Sequence, residues 1–109
     1  LVDGASVNSC LMPVCQVRDS EVITIEGLSN GKRLHPLQEA FASLGGAQCG
    51  ICTPGMLLTA YELLARKGKP NSADVREALE GNLCRCTGYT KIFESVLAAA
   101  AGRRGKKRV

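Results

Sequence analysis

Residues 48–55, "QCGICTPG", set Cys49 and Cys52 three apart between glycines, with a threonine and a proline directly behind. Residues 81–89, "GNLCRCTGY", set Cys84 and Cys86 two apart, again with a threonine behind. In each stretch a cysteine pair leads into a helix. Thr53 is a good N-cap and Pro54 suits the first helical position. The second pair leads into a helix that starts near Thr90. This faint internal repeat points two helix N-termini, each with a pair of thiols, at one spot.

Two thiol pairs at two helix starts are a chemical proposition. The thiolate is the metal-binding form, and the positive end of a helix favours it. Two such ends together make a good place for negative charge. Gly50 and Gly55 let the backbone approach closely and aim its N–H groups at the site. Cys49, Cys52, Cys84 and Cys86 therefore form a four-sulfur site, fit for a tetrahedral metal or an iron–sulfur cluster. Counting does not choose between these. A structural zinc is one reading, and the C-x-C pair leans against it because zinc knuckles more often use C-x2-4-C at both ends. A thioredoxin-like dithiol would account for "CGIC" and leave the second pair unexplained. A c-type haem needs histidine after the second cysteine, and position 53 is threonine.

The rest of the composition sets the frame. The chain has 109 residues, 45% hydrophobic and 22% charged, which suits one folded domain or slightly more. Aromatic residues make up 4% and tryptophan is absent, so the core must come from Leu, Ile, Val, Ala and Met. Such a small body often needs a staple, such as a metal. The net charge of +4 sits mostly in the last seven residues, "RRGKKRV"; without their five cations, nine basic residues face ten acidic ones. The body is near neutral, which argues against a nucleic-acid-binding face, and residues 103–109 are expected to be a flexible basic tail. The longest apolar run, "VLAAAA" at 96–101, is far below the roughly 20 residues of a membrane span. Paired thiols favour metal or redox chemistry in a reducing compartment, hence the cytoplasm, with the periplasm as second choice. The chain opens on "LVDG" without methionine and reads as a piece of something longer.

Two patterns divide the chain. Residues 1–12 alternate around Asp3-Gly4, a hairpin signal, and "EVITIEGL" at 21–28 is a β-branched run that predicts a strand. "SNGKRLHP" at 29–36 is a connector, with the linker placed at 29–35. From Pro36 the period turns helical: a short helix through Leu37, Ala40, Phe41 and Leu44 stops at Gly45-Gly46. The helix after Thr53 carries Met56, Leu57, Ala60, Leu63 and Leu64 on one stripe. Ser72 is expected to cap a third helix with Val75, Ala78 and Leu79 inward. The fourth runs from near Thr90 through Ile92, Phe93, Val96, Leu97 and Ala100 to Gly102. His35 is read as a cap or surface residue and Cys15 as a buried, inert thiol.

"QCGICTPGM" and "GNLCRCTGY", with 31 residues between Cys52 and Cys84, resemble the small iron–sulfur subunit of the molybdenum hydroxylases. That family includes xanthine dehydrogenase, aldehyde oxidase and bacterial CO dehydrogenase. "VNSCLM" at 7–12 and "LHPLQEAF" at 34–41 resemble it too. The resemblance implies an α+β protein. Residues 1–28 would be the C-terminal part of a plant-type, ferredoxin-like β-grasp, and 36–102 a four-helix [2Fe–2S] domain. Cys49, Cys52, Cys84 and Cys86 would ligate the helical-domain cluster, with Gln48 and Cys86 facing the pterin. Cys10 would be the fourth ligand of a second [2Fe–2S] cluster whose other ligands lie upstream. The implied function is electron transfer from a molybdopterin-binding large subunit toward FAD on a medium subunit, or another acceptor. No residue of this chain would act as a catalytic acid, base or nucleophile. The reading from a different class is a zinc-stabilised, non-redox interaction module.

Overall fold

The computed structural model describes residues 1–106, and side chains through Gly102. Four helices follow one another: α1 (Pro36–Leu44), α2 (Thr53–Arg66), α3 (Ser72–Leu79) and α4 (Thr90–Lys106).

Each start has a local cause. His35 caps α1: its Nδ1 accepts from Leu37 N at 3.1 Å, and Gln38 Oε1 accepts from His35 N at 2.8 Å. Pro36 then fills the first turn, where no N–H is needed. Gly45, at φ +81°, ends α1 in the left-handed conformation that glycine adopts without strain. The cap of α2 is Cys52, one residue before the expected Thr53. Cys52 already has helical backbone angles, and its carbonyl accepts from Met56 N at 3.0 Å. The cap of α3 likewise moves from Ser72 to Asn71. There the Asn71 amide oxygen takes Asp74 N and the Asp74 carboxylate takes Asn71 N, both at 2.9 Å. Helix α4 begins at Thr90 as expected and continues past Gly102 to Lys106. Glycine with no proline behind it weakens a helix without ending it. Of the tail expected to be flexible, residues 107–109 lie outside the described residues.

The expected β-structure is the main difference. The Asp3-Gly4 turn is present, with φ +49° and +87° and a bridge from Val2 to Ala5. Val2 also bridges Val22, but among the described residues pairing never extends beyond isolated bridges. Residues 25–27 of the expected strand form a 3-10 turn instead. A β-branched run favours extended backbone, yet isolated bridges are too few to hold a sheet. The domain is mostly helical.

The helices enclose one core. The α2 stripe expected from the sequence, Met56, Leu57, Ala60, Leu63 and Leu64, is the buried face of that helix. It meets Leu37 and Phe41 of α1, Val75 and Leu79 of α3, and Ile92 and Val96 of α4. Helix α1 lies chiefly along α4, and α2 along α3. Among the described residues no helix is long and apolar enough to cross a membrane. This arrangement sets the start of α2 beside the 80–89 connection between α3 and α4, so the two cysteine loops meet.

Candidate metal centre

The first loop owes its shape to Gly50, at φ +89°, which turns the chain so that Cys49 and Cys52 fall on either side of the bend. The second loop is fastened to α2 through Asn82. Its Nδ2 donates to Thr59 Oγ1 at 3.0 Å, while its own N–H holds the end of α3 by donating to Leu79 O at 2.9 Å. Gly55 makes this approach possible, since a Cβ there would lie 2.8 Å from Asn82 Oδ1.

Within the second loop three hydrogen bonds converge on Cys84. Its N–H donates to Tyr89 Oη at 2.9 Å. Its sulfur accepts from Thr87 Oγ1 at 3.2 Å and from Thr87 N at 3.4 Å. Tyr89 N in turn donates to Thr87 Oγ1 at 3.0 Å. Tyr89 sits at φ +76°, a region non-glycine residues seldom occupy, and its ring stacks on Phe93 in the first turns of α4.

The thiols meet in pairs across the loops, Cys52 with Cys84 and Cys49 with Cys86. Hydrogen bonds from the Thr87 side chain and backbone bring Cys84 down to about 7. Desolvation first, then the hydrogen bond and charge of Cys84, push Cys52 up to about 11. The Cys49 thiol raises Cys86 in the second pair.

This donor set fits a two-iron cluster. A lone zinc needs all its thiolates on one centre, whereas a [2Fe–2S] cluster takes two on each of two irons. Four thiols brought together from two loops supply that number. Thr53 Oγ1, next to Cys52 in sequence, is also buried with no hydrogen-bond partner among the described residues.

Comparison with known proteins leads to the same chemistry. Residues 24–97 match the family model described as "[2Fe-2S] binding domain". The chain belongs to that family. This [2Fe–2S] binding domain is 48% identical over 89 residues to the mouse (Mus musculus) xanthine dehydrogenase/oxidase, covering 82% of this chain. It is 52% identical over 91 residues to aldehyde oxidase 2 of Macaca fascicularis, covering 83% of this chain. It spans 7% of the length of each of these relatives. Among solved structures it resembles quinoline 2-oxidoreductase from Pseudomonas putida 86, with TM-score 0.90 and 45% identity over 96% of this chain and 67% of that one. It also resembles the aldehyde oxidoreductase of Desulfovibrio gigas, with TM-score 0.92 and 41% identity over 99% of this chain and 12% of that one.

The other residues singled out in the sequence fall outside the four-thiol group. Gln48 is exposed beside Cys49. Cys10 is exposed on a 3-10 turn (Ser9–Leu11), along a cleft that also touches Gly55 and Asn82. Cys15, expected to be buried, is exposed, because the short turn that carries it (Val14–Val17) buries no residue. His35 is the cap of α1 and packs edge-on against Tyr61 at 5.2 Å. Sequence reading missed the supporting residues Asn82, Thr87 and Tyr89. The repeated threonine after each cysteine pair was the available signal for Thr87; nothing local announced the left-handed tyrosine.

Proposed function

We propose that this domain is the electron-relay part of a molybdenum-containing hydroxylase, accepting electrons from a molybdopterin centre on a partner subunit and passing them toward FAD or another acceptor. The carrying observation is the cross-loop pairing of Cys49 with Cys86 and of Cys52 with Cys84. On this reading the four are the ligands of one [2Fe–2S] cluster. The names of the relatives, xanthine dehydrogenase and aldehyde oxidase, supply the reaction class. Once bound, the cluster supplies one-electron chemistry. The chain's own residues do the rest: four thiolates hold it, Thr87 donates to a ligand sulfur, and Asn82 fixes one loop against the other.

Gln48 and Cys86 are the proposed pterin-facing residues. Both are exposed, and Ile51 and Leu83 stand beside the same loops 85% and 80% exposed, an apolar rim suited to a large subunit. The segment before α1 is proposed as the end of a ferredoxin-like domain, with Cys10 as one ligand of a second cluster. Its exposed Leu11 and Val14 supply apolar surface for the remainder of such a domain. The location that fits this chemistry is the cytoplasm.

Metal analysis and electron paramagnetic resonance test the reading. Chain purified without oxygen should be brown, carry about two irons and little zinc, and give one cluster signal on reduction. Stoichiometric zinc with no iron would overturn it. Two distinct signals would overturn the assignment of Cys10 to a cluster completed from elsewhere.

A further inference from the structure

The hydrogen bonds around Cys84 close into a circuit. Cys84 N donates to Tyr89 Oη, Tyr89 N donates to Thr87 Oγ1, and Thr87 Oγ1 donates back to Cys84 Sγ. With Cys84 a ligand thiolate, which can only accept, the directions follow. A backbone N–H can only donate, so Tyr89 N occupies a lone pair of the Thr87 oxygen. That leaves the single hydroxyl hydrogen for the sulfur 3.2 Å away. Among the described residues Cys84 is the one cysteine whose sulfur takes a hydroxyl hydrogen bond. The circuit also accounts for an unfavourable backbone. Tyr89 at φ +76° follows Gly88 at φ +70°, and this double left-handed step turns the Tyr89 N–H back toward Thr87. A non-glycine residue in this region costs about 1–3 kcal/mol, and such strain persists where the surroundings enforce it. Here the enforcement comes from the Phe93 stack and the Cys84 N–H.

We propose that Thr87, aimed by Tyr89, is a positioning residue that sets the reduction potential of the cluster through Cys84. This rests on the four cysteines holding a [2Fe–2S] cluster. Reduction adds one electron and neither makes nor breaks a bond, so the reduced cluster carries one more negative charge. A hydrogen bond to a ligand sulfur stabilises that state more than the oxidised one and raises the potential. The bond's neighbours in the circuit polarise it further.

Thr87→Val keeps the volume and the backbone N–H and removes the hydroxyl; Thr87→Ala removes the bulk as well; Thr87→Ser keeps the hydroxyl and removes the methyl. Each iron-loaded full chain is titrated with dithionite and followed by electron paramagnetic resonance, beside an iron count. The expected result is that Thr87→Val and Thr87→Ala keep the parent's iron content and shift the midpoint to more negative potential, while Thr87→Ser stays close to the parent. An unchanged or more positive midpoint in the valine variant overturns the proposal and leaves the cluster reading intact. So does a serine variant as shifted as the valine one, which would make the methyl the cause. If the valine and alanine variants load no iron while the serine variant does, Thr87 is an assembly residue and the proposal fails. A parent chain that holds zinc instead of iron removes the cluster reading itself, and the iron count separates that outcome from the others.

Discussion

Gly46 shows how little room one residue has near the site. It lies two positions before Gln48, where the chain leaves α1 for the first cysteine loop. A Cβ there would stand 2.8 Å from Ser95 Oγ, 2.9 Å from Phe41 Cδ2 and 3.1 Å from Phe41 Cγ. Neither neighbour yields easily. Ser95 is fully buried on α4 and donates to Lys91 O at 2.7 Å, and Phe41 is a core ring only 2% exposed. Overpacking of this kind costs about 1–3 kcal/mol. Gly46→Ala should therefore lower the unfolding free energy by that amount, seen as a lower denaturant midpoint with the slope unchanged. A midpoint equal to the parent's would show that the α1–α4 seam can open at no cost.

The elements are short, so their ends matter as much as their faces. Helix α3 has only eight residues, and its first turn rests on the reciprocal bonds between Asn71 and Asp74. Losing the Asn71 side chain should cost about 1 kcal/mol. A larger loss would point to the connection that feeds the second cysteine loop. Asp74 adds a pH dependence. Its carboxyl is held below its ordinary value, first by the Asn71 N–H and then by Lys67, whose Nζ lies 2.9 Å away. The folded value is thus below the unfolded one. The stabilisation is complete above the ordinary carboxylate range and fades as pH falls through the folded value. Thermal unfolding should show Asp74→Asn less stable than the parent at neutral pH, with the gap closing in strong acid. A gap that stays constant with pH would mean that the charge contributes nothing.

At the scale of the whole molecule, the two cysteine loops join parts of the chain that the core alone leaves apart. Cys52 and Cys84 only flank the buried cluster of side chains, and Cys49 and Cys86 are exposed. A metal centre there ties the start of α2 to the connection before α4, closing a long loop. Without metal, four sulfurs crowd one surface with nothing bridging them. Cys84→Ser should remove the brown colour and, with it, cooperative unfolding, since the loop pairing and the Thr87 circuit both depend on that sulfur. Circular dichroism during heating checks this. A sharp transition close to the parent's would show that the helices are self-sufficient and the cluster rides on them.

What the sequence determined by itself was local or strictly periodic. The spacing of Cys49, Cys52, Cys84 and Cys86 singled out the four thiols that the fold brings together, because ligand chemistry calls for such pairs in any fold. The α2 stripe of Met56, Leu57, Ala60, Leu63 and Leu64 was legible because a helix repeats its buried face on a fixed period. The end of α1 was legible too, since Gly45 supplies a left-handed residue without strain. Cap positions slipped by one residue because Cys52 and Thr53, or Asn71 and Ser72, can each cap, and only the realised hydrogen bonds choose between them. The strand expected at 21–28 did not form because extended backbone needs a neighbour to pair with, and propensity does not create one. Tertiary structure alone decided which thiol faces which, that Asn82 rests on Gly55, and that Tyr89 takes a left-handed turn to aim Thr87 at Cys84. These depend on how two loops 31 residues apart in sequence are set against each other by four packed helices, a distance over which neither propensity nor periodicity acts.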